Sequence, residues 1–275
     1  MSSQMSAETS ESLPEAAGYY VENGPGWFTS TLHAQGAWNP QEQHMAPVTG
    51  LLVRELENFQ PRPELRLARV SFDILGMIPG GEFRVETSVL RPGKTIELIQ
   101  AELIAGERPA VRATAWRLQR SDTTEVAATQ DRRIPGLDSE LDHPDTSLIW
   151  PGGFIRSLEI YTAPGNIPGR GQVWLRGAPE LVADQPSSEL ARLMGLVDTA
   201  NGIVPLIDPS KKEYIYPNTD LSIHLHREPS GEWLGLDTSV SFGADGIGLT
   251  SSVLHDASGP FGRAEQILTV RRLNA

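Results

Sequence analysis

Two apolar periods run through this chain, one near 3.6 residues and one of 2. The helical period is carried by two stretches. In the first, Val48, Leu51, Leu52, Leu56 and Phe59 form one broad face, opposed by Arg54, Glu55, Glu57 and Asn58. Pro47 opens it, where a missing N–H is harmless, and Gln60-Pro61-Arg62-Pro63 closes it. In the second, Arg192 to Pro205, the residues Leu193, Leu196, Val197, Ala200, Ile203 and Val204 recur at helical spacing behind a Ser187-Ser188 cap. The period of 2 predicts strands over Leu67–Leu75, Glu82–Leu90, Thr95–Ile104 and Pro109–Leu118. It returns over Asn218–His226, Glu232–Phe242, Gly246–His255 and Ala264–Leu273. Shorter strands are expected at Phe28–Leu32, Phe154–Ile160 and Gln172–Arg176. Helices followed by antiparallel meanders make an α+β chain.

The pattern is duplicated. At an offset of 150, Leu75, Pro79, Gly81, Glu82 and Phe83 fall on Leu225, Pro229, Gly231, Glu232 and Trp233. The same offset lays Val48 on Asp198. The last strands coincide only with about five extra residues in the second copy, which would place Thr114 and Leu118 on Thr269 and Leu273. The expected organisation is a polar, disordered tail over 1–17, a first unit over 18–120, an acidic linker over 121–151 and a second unit over 152–275. Two such units side by side would make one curved sheet with the helices inside its curve.

Composition narrows the function more than the fold. The chain has 275 residues and a formal net charge of −12, which disfavours nucleic acid or an anionic membrane as principal partner. Cysteine is absent, removing disulfides, thiolate nucleophiles and Cys-bound metal. No segment has the apolar length of a membrane span, and the Ser/Glu-rich start has no signal-peptide core, so a cytoplasmic protein is expected. The sequence contains no phosphate-binding Gly-rich loop, no G-x-S-x-G and no H-E-x-x-H.

One carboxylate stands out. Asp198 interrupts the apolar second helix, and a carboxylate buried there must be paired, hydrogen-bonded or protonated. It is either a local cap on the flank of the stripe or a functional acid. His224 and His226 share a strand face with Asp220 and read either as metal ligands or as the outer face of the sheet, with no metal expected. His44 is a base or a cap, and Asp208 a turn residue. Arg227 and Arg263, with Lys211 and Lys212, are either a cationic rim for phosphates or solvated surface.

Several strings, in order, resemble the double-hotdog acyl-CoA thioesterases. They are Gly36-Ala-Trp-Asn-Pro40, Gln43-His44, Gly50-Leu-Leu-Val-Arg-Glu-Leu-Glu57 and Val85-Glu-Thr-Ser-Val-Leu-Arg-Pro-Gly-Lys-Thr95. The second half adds Val173-Trp-Leu-Arg176, Asp198-Thr-Ala-Asn-Gly202, Asn218-Thr-Asp-Leu-Ser-Ile-His-Leu-His-Arg227 and Gly262-Arg-Ala-Glu-Gln266. The resemblance spans roughly residues 25 to 273. It implies a double hotdog that hydrolyses acyl-CoA without cofactor or covalent intermediate, with a homodimer as an expected assembly. It also implies a water held by Asp198, Gln266 and a third residue, Asn218 or Thr219, with His44, Arg227 and Arg263 as weaker candidates for substrate binding. Two departures stand against the pattern. Asn218 sits where a hydroxyl is usual, and His44-Met45-Ala46-Pro47 replaces His-Gly-Gly-Pro, so side chains project where bare backbone is usual. These departures keep open a second function, a double hotdog that binds acyl-CoA or a protein partner with weak or no catalysis. A hotdog hydratase would need an Asp facing a His across the pocket, and no such pair is evident.

Overall fold

A computed structural model describes residues 16–146 and 149–273; the N-terminal tail expected over 1–17 lies almost wholly outside them. The first half contains β1 (Gly18–Gly24), β2 (Trp27–Ser30), α1 (Met45–Asn58), β3 (Leu65–Ile74), β4 (Glu82–Arg91), β5 (Ile96–Ala105) and β6 (Arg108–Gln119). The second contains α2 (Gly153–Arg156), β7 (Leu158–Thr162), β8 (Arg170–Gly177), β9 (Glu180–Val182), α3 (Glu189–Val197) and α4 (Ala200–Ile203). It continues with β10 (Tyr214–Ile215), β11 (Asp220–Leu225), β12 (Leu234–Phe242), β13 (Ile247–Asp256), β14 (Gly259–Thr269) and β15 (Arg271–Arg272).

Thirteen strands form one sheet in the order β7-β8-β12-β13-β14-β11-β3-β6-β5-β4-β2-β1-β9. Read outward from the β11–β3 junction, the two halves run β11-β14-β13-β12-β8-β7 and β3-β6-β5-β4-β2-β1, the same order twice. This is the double hotdog expected from the sequence. Only β9 breaks the scheme, pairing in parallel with β1 of the other half. The junction is itself symmetric. Ser71 faces Ser222, Val70 faces Ile223 and Phe72 faces Leu221, so a pseudo-twofold axis passes between the two serines. Each half also carries the same one-residue register slip: between Leu67↔Arg117 and Arg69↔Trp116 in the first, and between Asn218↔Leu268 and Ser222↔Glu265 in the second.

The strands therefore repeat at an offset of 151, carrying Thr114 onto Glu265 rather than Thr269. No five-residue insertion is needed. The shared threonines and leucines near the strand ends produce the apparent gap.

The inner faces of the strands, among them Val70, Phe72, Ile99, Leu103, Leu221 and Ile223, are buried against α1 and α3. Full burial of each such side chain contributes about 1.5–3 kcal/mol. The two helices lie antiparallel. Ser188, the N-cap of α3, donates from Oγ to Glu57 at the C-terminal end of α1 at 2.5 Å, and the opposite ends bring His44 to Asp198. They cross at Gly50. A Cβ there would stand 2.8 Å from both the Ala191 carbonyl oxygen and the Gly195 Cα. Gly50 meeting Gly195 sets a helical offset of 145, so the first-half counterpart of Asp198 is Val53, not Val48.

Two element assignments differ from the sequence pattern. Gly153–Arg156 is a helical turn ahead of β7, so the strand begins later than Phe154. The second helix is also not continuous. α3 ends at Val197 with Asp198 as C-cap, and α4 begins at Ala200. Thr199 Oγ1 donates back to the Leu196 carbonyl at 2.7 Å, and the Thr199 N–H bonds the same oxygen. That competes with the regular ladder and turns the backbone at Asp198.

The crossing predicts that Gly50→Ala destabilises the fold by about 1–3 kcal/mol, because the new methyl meets backbone atoms that cannot swing away. Urea denaturation of the variant beside the wild type measures it.

Candidate active site

The α3–α4 break places Asp198 at the end of an apolar helix, 3% exposed. Its Oδ1 accepts from two amides, Asn218 Nδ2 at 2.7 Å and Gln266 Nε2 at 2.8 Å. The carboxylate thereby fixes how both amides are turned, since only their NH₂ groups can donate to it. Burial raises the Asp198 carboxyl to about 7, against the opposing pull of the Asn218 and Gln266 hydrogen bonds. A group titrating there is divided between acid and base near neutral pH, which suits general-base chemistry.

Asn218 reaches Asp198 because of the register slip. Strict alternation along β11 would put Thr219 on the inner face with Leu221 and Ile223, and Asn218 on the outer face with Asp220. The bulge between Asn218 and Ser222 turns Asn218 inward. Its second amide proton goes to the Asp220 carbonyl at 3.0 Å, and its Oδ1 accepts from Asn201 Nδ2 at 3.4 Å. Thr219 is exposed, borders the same cavity as Asp198, and makes its backbone bonds to Ile267 and Ile74.

His44 Nδ1 stands 3.9 Å from Asp198 Oδ2. This is not an ion pair. Nδ1 accepts from the Ala46 N–H at 3.1 Å as the N-cap of α1, and burial lowers the ring to about 4, leaving it neutral. Its ring packs 4.4 Å, centroid to centroid, from Phe154. Asp198 Oδ2 thus receives no proton from His44, and Asp198 borders the cavity.

That cavity measures about 600 Å³ and is bordered by Trp38, Met45, Asp198, Asn201, Asn218 and Arg271, among others. Met45, one of the two residues departing from the double-glycine pattern, projects into it. A second pocket of about 40 Å³ shares Trp38, His44 and Asn201 and continues between Trp150, Ile160 and Tyr216. Its aromatic wall is tight: Trp38 and Trp150 lie 5.1 Å apart, and Tyr216 within 6.3 Å of both.

Arg227 and Arg263 are not brought to this cavity. Arg227 holds Asp256 with two hydrogen bonds, 2.6 and 2.7 Å, and also caps the carbonyls of Gly259 and Pro260. Arg263 pairs with Asp131. Arg227 sits at the β13–β14 turn, and Arg263 lies on the exposed face of β14, opposite the buried face that carries Gln266. His224 and His226 are exposed on the outer face, while Asp220 accepts the Ile267 N–H at 2.7 Å. Among the described residues no group of three or more His, Cys, Asp or Glu gathers as a metal site.

Three residues of the site are not singled out by the sequence pattern. Asn201 follows Asp198 by three and could have been found from that helical spacing. Arg271, in β15, lies two residues past Thr269, and both border the cavity. Thr250 stands opposite Gln266, and Thr250 Oγ1 and Gln266 Oε1 are both buried without a protein partner.

The two halves differ sharply at equivalent places. Carried across the pseudo-twofold axis, Asp198, Asn218 and Gln266 fall on Val53, Leu67 and Ala115, all buried. Beyond them Arg117, paired with Glu97 at 3.2 Å, donates to the carbonyls of Leu56, Phe59 and Gln60 and fills the end of α1. Only one half can hold a polar site.

Residues 131–270 match the acyl-CoA thioesterase C-terminal domain, and residues 34–118 match the N-terminal domain. The chain belongs to the acyl-CoA thioesterase family. It is a double-hotdog thioesterase, and its fold recurs in solved structures. One is a candidate thioesterase II from Thermobifida fusca YX, with 16% identity, TM-score 0.70, and coverage of 95% of this chain and 100% of that one. Another is the acyl-CoA thioesterase II TesB2 from Mycobacterium marinum, with 12% identity, TM-score 0.65, and coverage of 93% and 96%. A third is a hot dog fold protein of unknown function from Alicyclobacillus acidocaldarius, with 13% identity, TM-score 0.67, and the same coverage. A search of curated protein sequences gives no match. No helix among the described residues is long and apolar enough to cross a membrane.

The raised Asp198 carboxyl has a thermodynamic signature. It titrates at about 7 in the fold and at roughly 3.9 when unfolded. Between those values the native state keeps a proton that the unfolded chain has released, so stability falls as pH rises and the penalty is complete above about 7. Asp198→Asn removes the penalty. Relative to its value at pH 4, the variant's stability advantage should grow by on the order of 4 kcal/mol at pH 8, read from paired urea titrations.

Proposed function

We propose that Asp198 is the general base that drives water onto the thioester carbonyl of an acyl-CoA. The observation that carries this is the one-sided use of the carboxylate: Oδ1 is saturated by Asn218 and Gln266, while Oδ2 is open to the cavity. Asn218 and Gln266 hold Oδ1, which leaves Oδ2 to take the attacking water. As the water oxygen bonds to the carbonyl carbon, its proton moves to Oδ2. The carbonyl electrons become an oxyanion beside the α1 N-terminus at His44–Met45, where the helix dipole is positive. Collapse breaks the C–S bond, and the CoA sulfur leaves as a thiolate or takes the proton from Asp198. The thiol, with pKa about 8.5, is a far better leaving group than an alcohol. No covalent acyl-enzyme is required.

Asn218 does in this reading what a hydroxyl would do elsewhere, orienting the carboxylate. Asn201 supports it from α4. The aromatic pocket between Trp38, Trp150 and Tyr216 receives the acyl end.

The reading predicts that Asp198→Asn lowers kcat by about 10²–10⁴-fold without unfolding the protein. The Gln266→Ala and Asn218→Ala variants should lose activity, while Thr219→Ala should retain most of it. For the wild type, kcat/KM should climb about tenfold per pH unit below an apparent pKa near 7 and then level off. Free-thiol release from acyl-CoAs of several chain lengths measures all of these. Saturable acyl-CoA binding without turnover at any chain length would instead establish a binding protein.

A further inference from the structure

Asp198 is held by two amides, and the two are finished differently. Asn218 Nδ2 and Gln266 Nε2 both donate to its Oδ1. Each amide also has an oxygen to satisfy. The Asn218 oxygen accepts from Asn201 Nδ2 at 3.4 Å. Gln266 Oε1 is buried and accepts from no protein group. Turning the amide over does not help, because Asp198 needs the NH₂ group where it is. A buried amide oxygen without a donor is costly, and it leaves the side chain free at its far end.

The residue opposite Gln266 on the β13–β14 ladder is Thr250. Directly opposed side chains have Cβ atoms about 4.5–5.5 Å apart, a span that a water can bridge between their polar ends. Thr250 is 1% exposed, and its hydroxyl also has no protein partner. Two residues along β13, Ser252 is buried as well, but its hydroxyl is bonded to that of Thr238 at 2.8 Å. The first half shows what the fold carries here when no acid is present. At the strand offset of 151, the facing pair Thr250 and Gln266 falls on the facing pair Ile99 and Ala115, both fully buried. Hydroxyl and amide therefore occur together in the half that has the carboxylate, and hydrocarbon replaces both in the half that lacks it.

We infer that Thr250 is a positioning residue for Gln266, its hydroxyl and Gln266 Oε1 sharing one buried water. The role rests on the reading of Asp198 as general base. The order of donors follows from the groups themselves. An ionised carboxylate only accepts, so Gln266 donates to it. An amide oxygen only accepts, so the water donates to Gln266, and the Thr250 hydroxyl is left to donate to the water. Every hydrogen in the chain then points toward Asp198. Hydrogen bonds aligned in one sense strengthen one another, which makes the Gln266 N–H a better donor to the carboxylate. Gln266 is fixed at both ends of its amide, as Asn218 is fixed by Asp198 and Asn201. Asp198 is thereby kept in the one rotamer that presents Oδ2 to the attacking water.

The test uses the full chain with Thr250→Val, which keeps the shape and removes the hydroxyl, and Thr250→Ser, which keeps the hydroxyl. Both are made in the wild type and in a Gln266→Leu background. With an acyl-CoA substrate, Thr250→Val should lower kcat about tenfold and change KM by less than about twofold. Thr250→Ser should recover most of the loss. In the Gln266→Leu background, Thr250→Val should cost no further activity. Urea unfolding reads the same link without turnover. In the wild type, Thr250→Val should lower the midpoint, because it strands Gln266 Oε1. In the Gln266→Leu background it should raise the midpoint, because the hydroxyl is then alone among apolar groups. A midpoint raised in both backgrounds would overturn the proposal, as would an unaltered kcat in Thr250→Val. Equal losses from Val and Ser would overturn it in favour of packing. If Asp198→Asn turns over as fast as the wild type, the general-base reading fails. The sign reversal in urea would still establish the link from Thr250 to Gln266, and its absence would refute it.

Discussion

The close crossing of α1 and α3 is the contact on which this molecule depends. Because neither Gly50 nor Gly195 carries a side chain, the helices approach backbone to backbone inside the curved sheet. Their antiparallel sense then places the N-terminus of one beside the C-terminus of the other at both ends. At one end Ser188 meets Glu57, and at the other His44 meets Asp198. The cavity, the buried acid and the positive helix end are thus consequences of a packing decision made some distance away. A side chain at the crossing would force the helices apart, and the loss would reach Asp198 before it reached the sheet.

A duplicated scaffold has two equivalent ends, yet only one is chemically equipped. Burying a carboxylate costs stability, and the hydrogen bonds of Asn218 and Gln266 offset only part of that cost, as the elevated titration shows. Supporting two such acids would double the cost. The first half instead carries Val53, Leu67 and Ala115 at the matching places and seals its helix end with Arg117 and Glu97. Its contribution is to rigidify the crossing and to supply His44 and Met45 to the opposite site. The division resembles that between a frame and the moving part mounted on it.

Much of this was legible in the chain. Alternation and helical spacing mark the long strands and both helices, because each element buries one face only. The duplication is visible in the Pro-Gly turns, and the oddity of Asp198 stands out against its apolar neighbours. What the pattern misses depends on residues distant in sequence. The register slip that turns Asn218 inward is a relation between β11 and β14, invisible along either strand alone. Arg227 and Arg263 look like free cations until Asp256 and Asp131 are folded against them. The helical break at Asp198 depends on a single back-bonded hydroxyl at Thr199, which periodicity does not weigh.

The apolar trio in the first half has a bearing on stoichiometry. Where two identical subunits pair about a true axis, both ends of the helix crossing are competent, and one occupied end can influence the other. Here the two units are covalently fused, and the first carries Val53, Leu67 and Ala115 where the second carries Asp198, Asn218 and Gln266. Each polypeptide then carries one such buried carboxylate rather than two. Coupling between two such acids would require two chains.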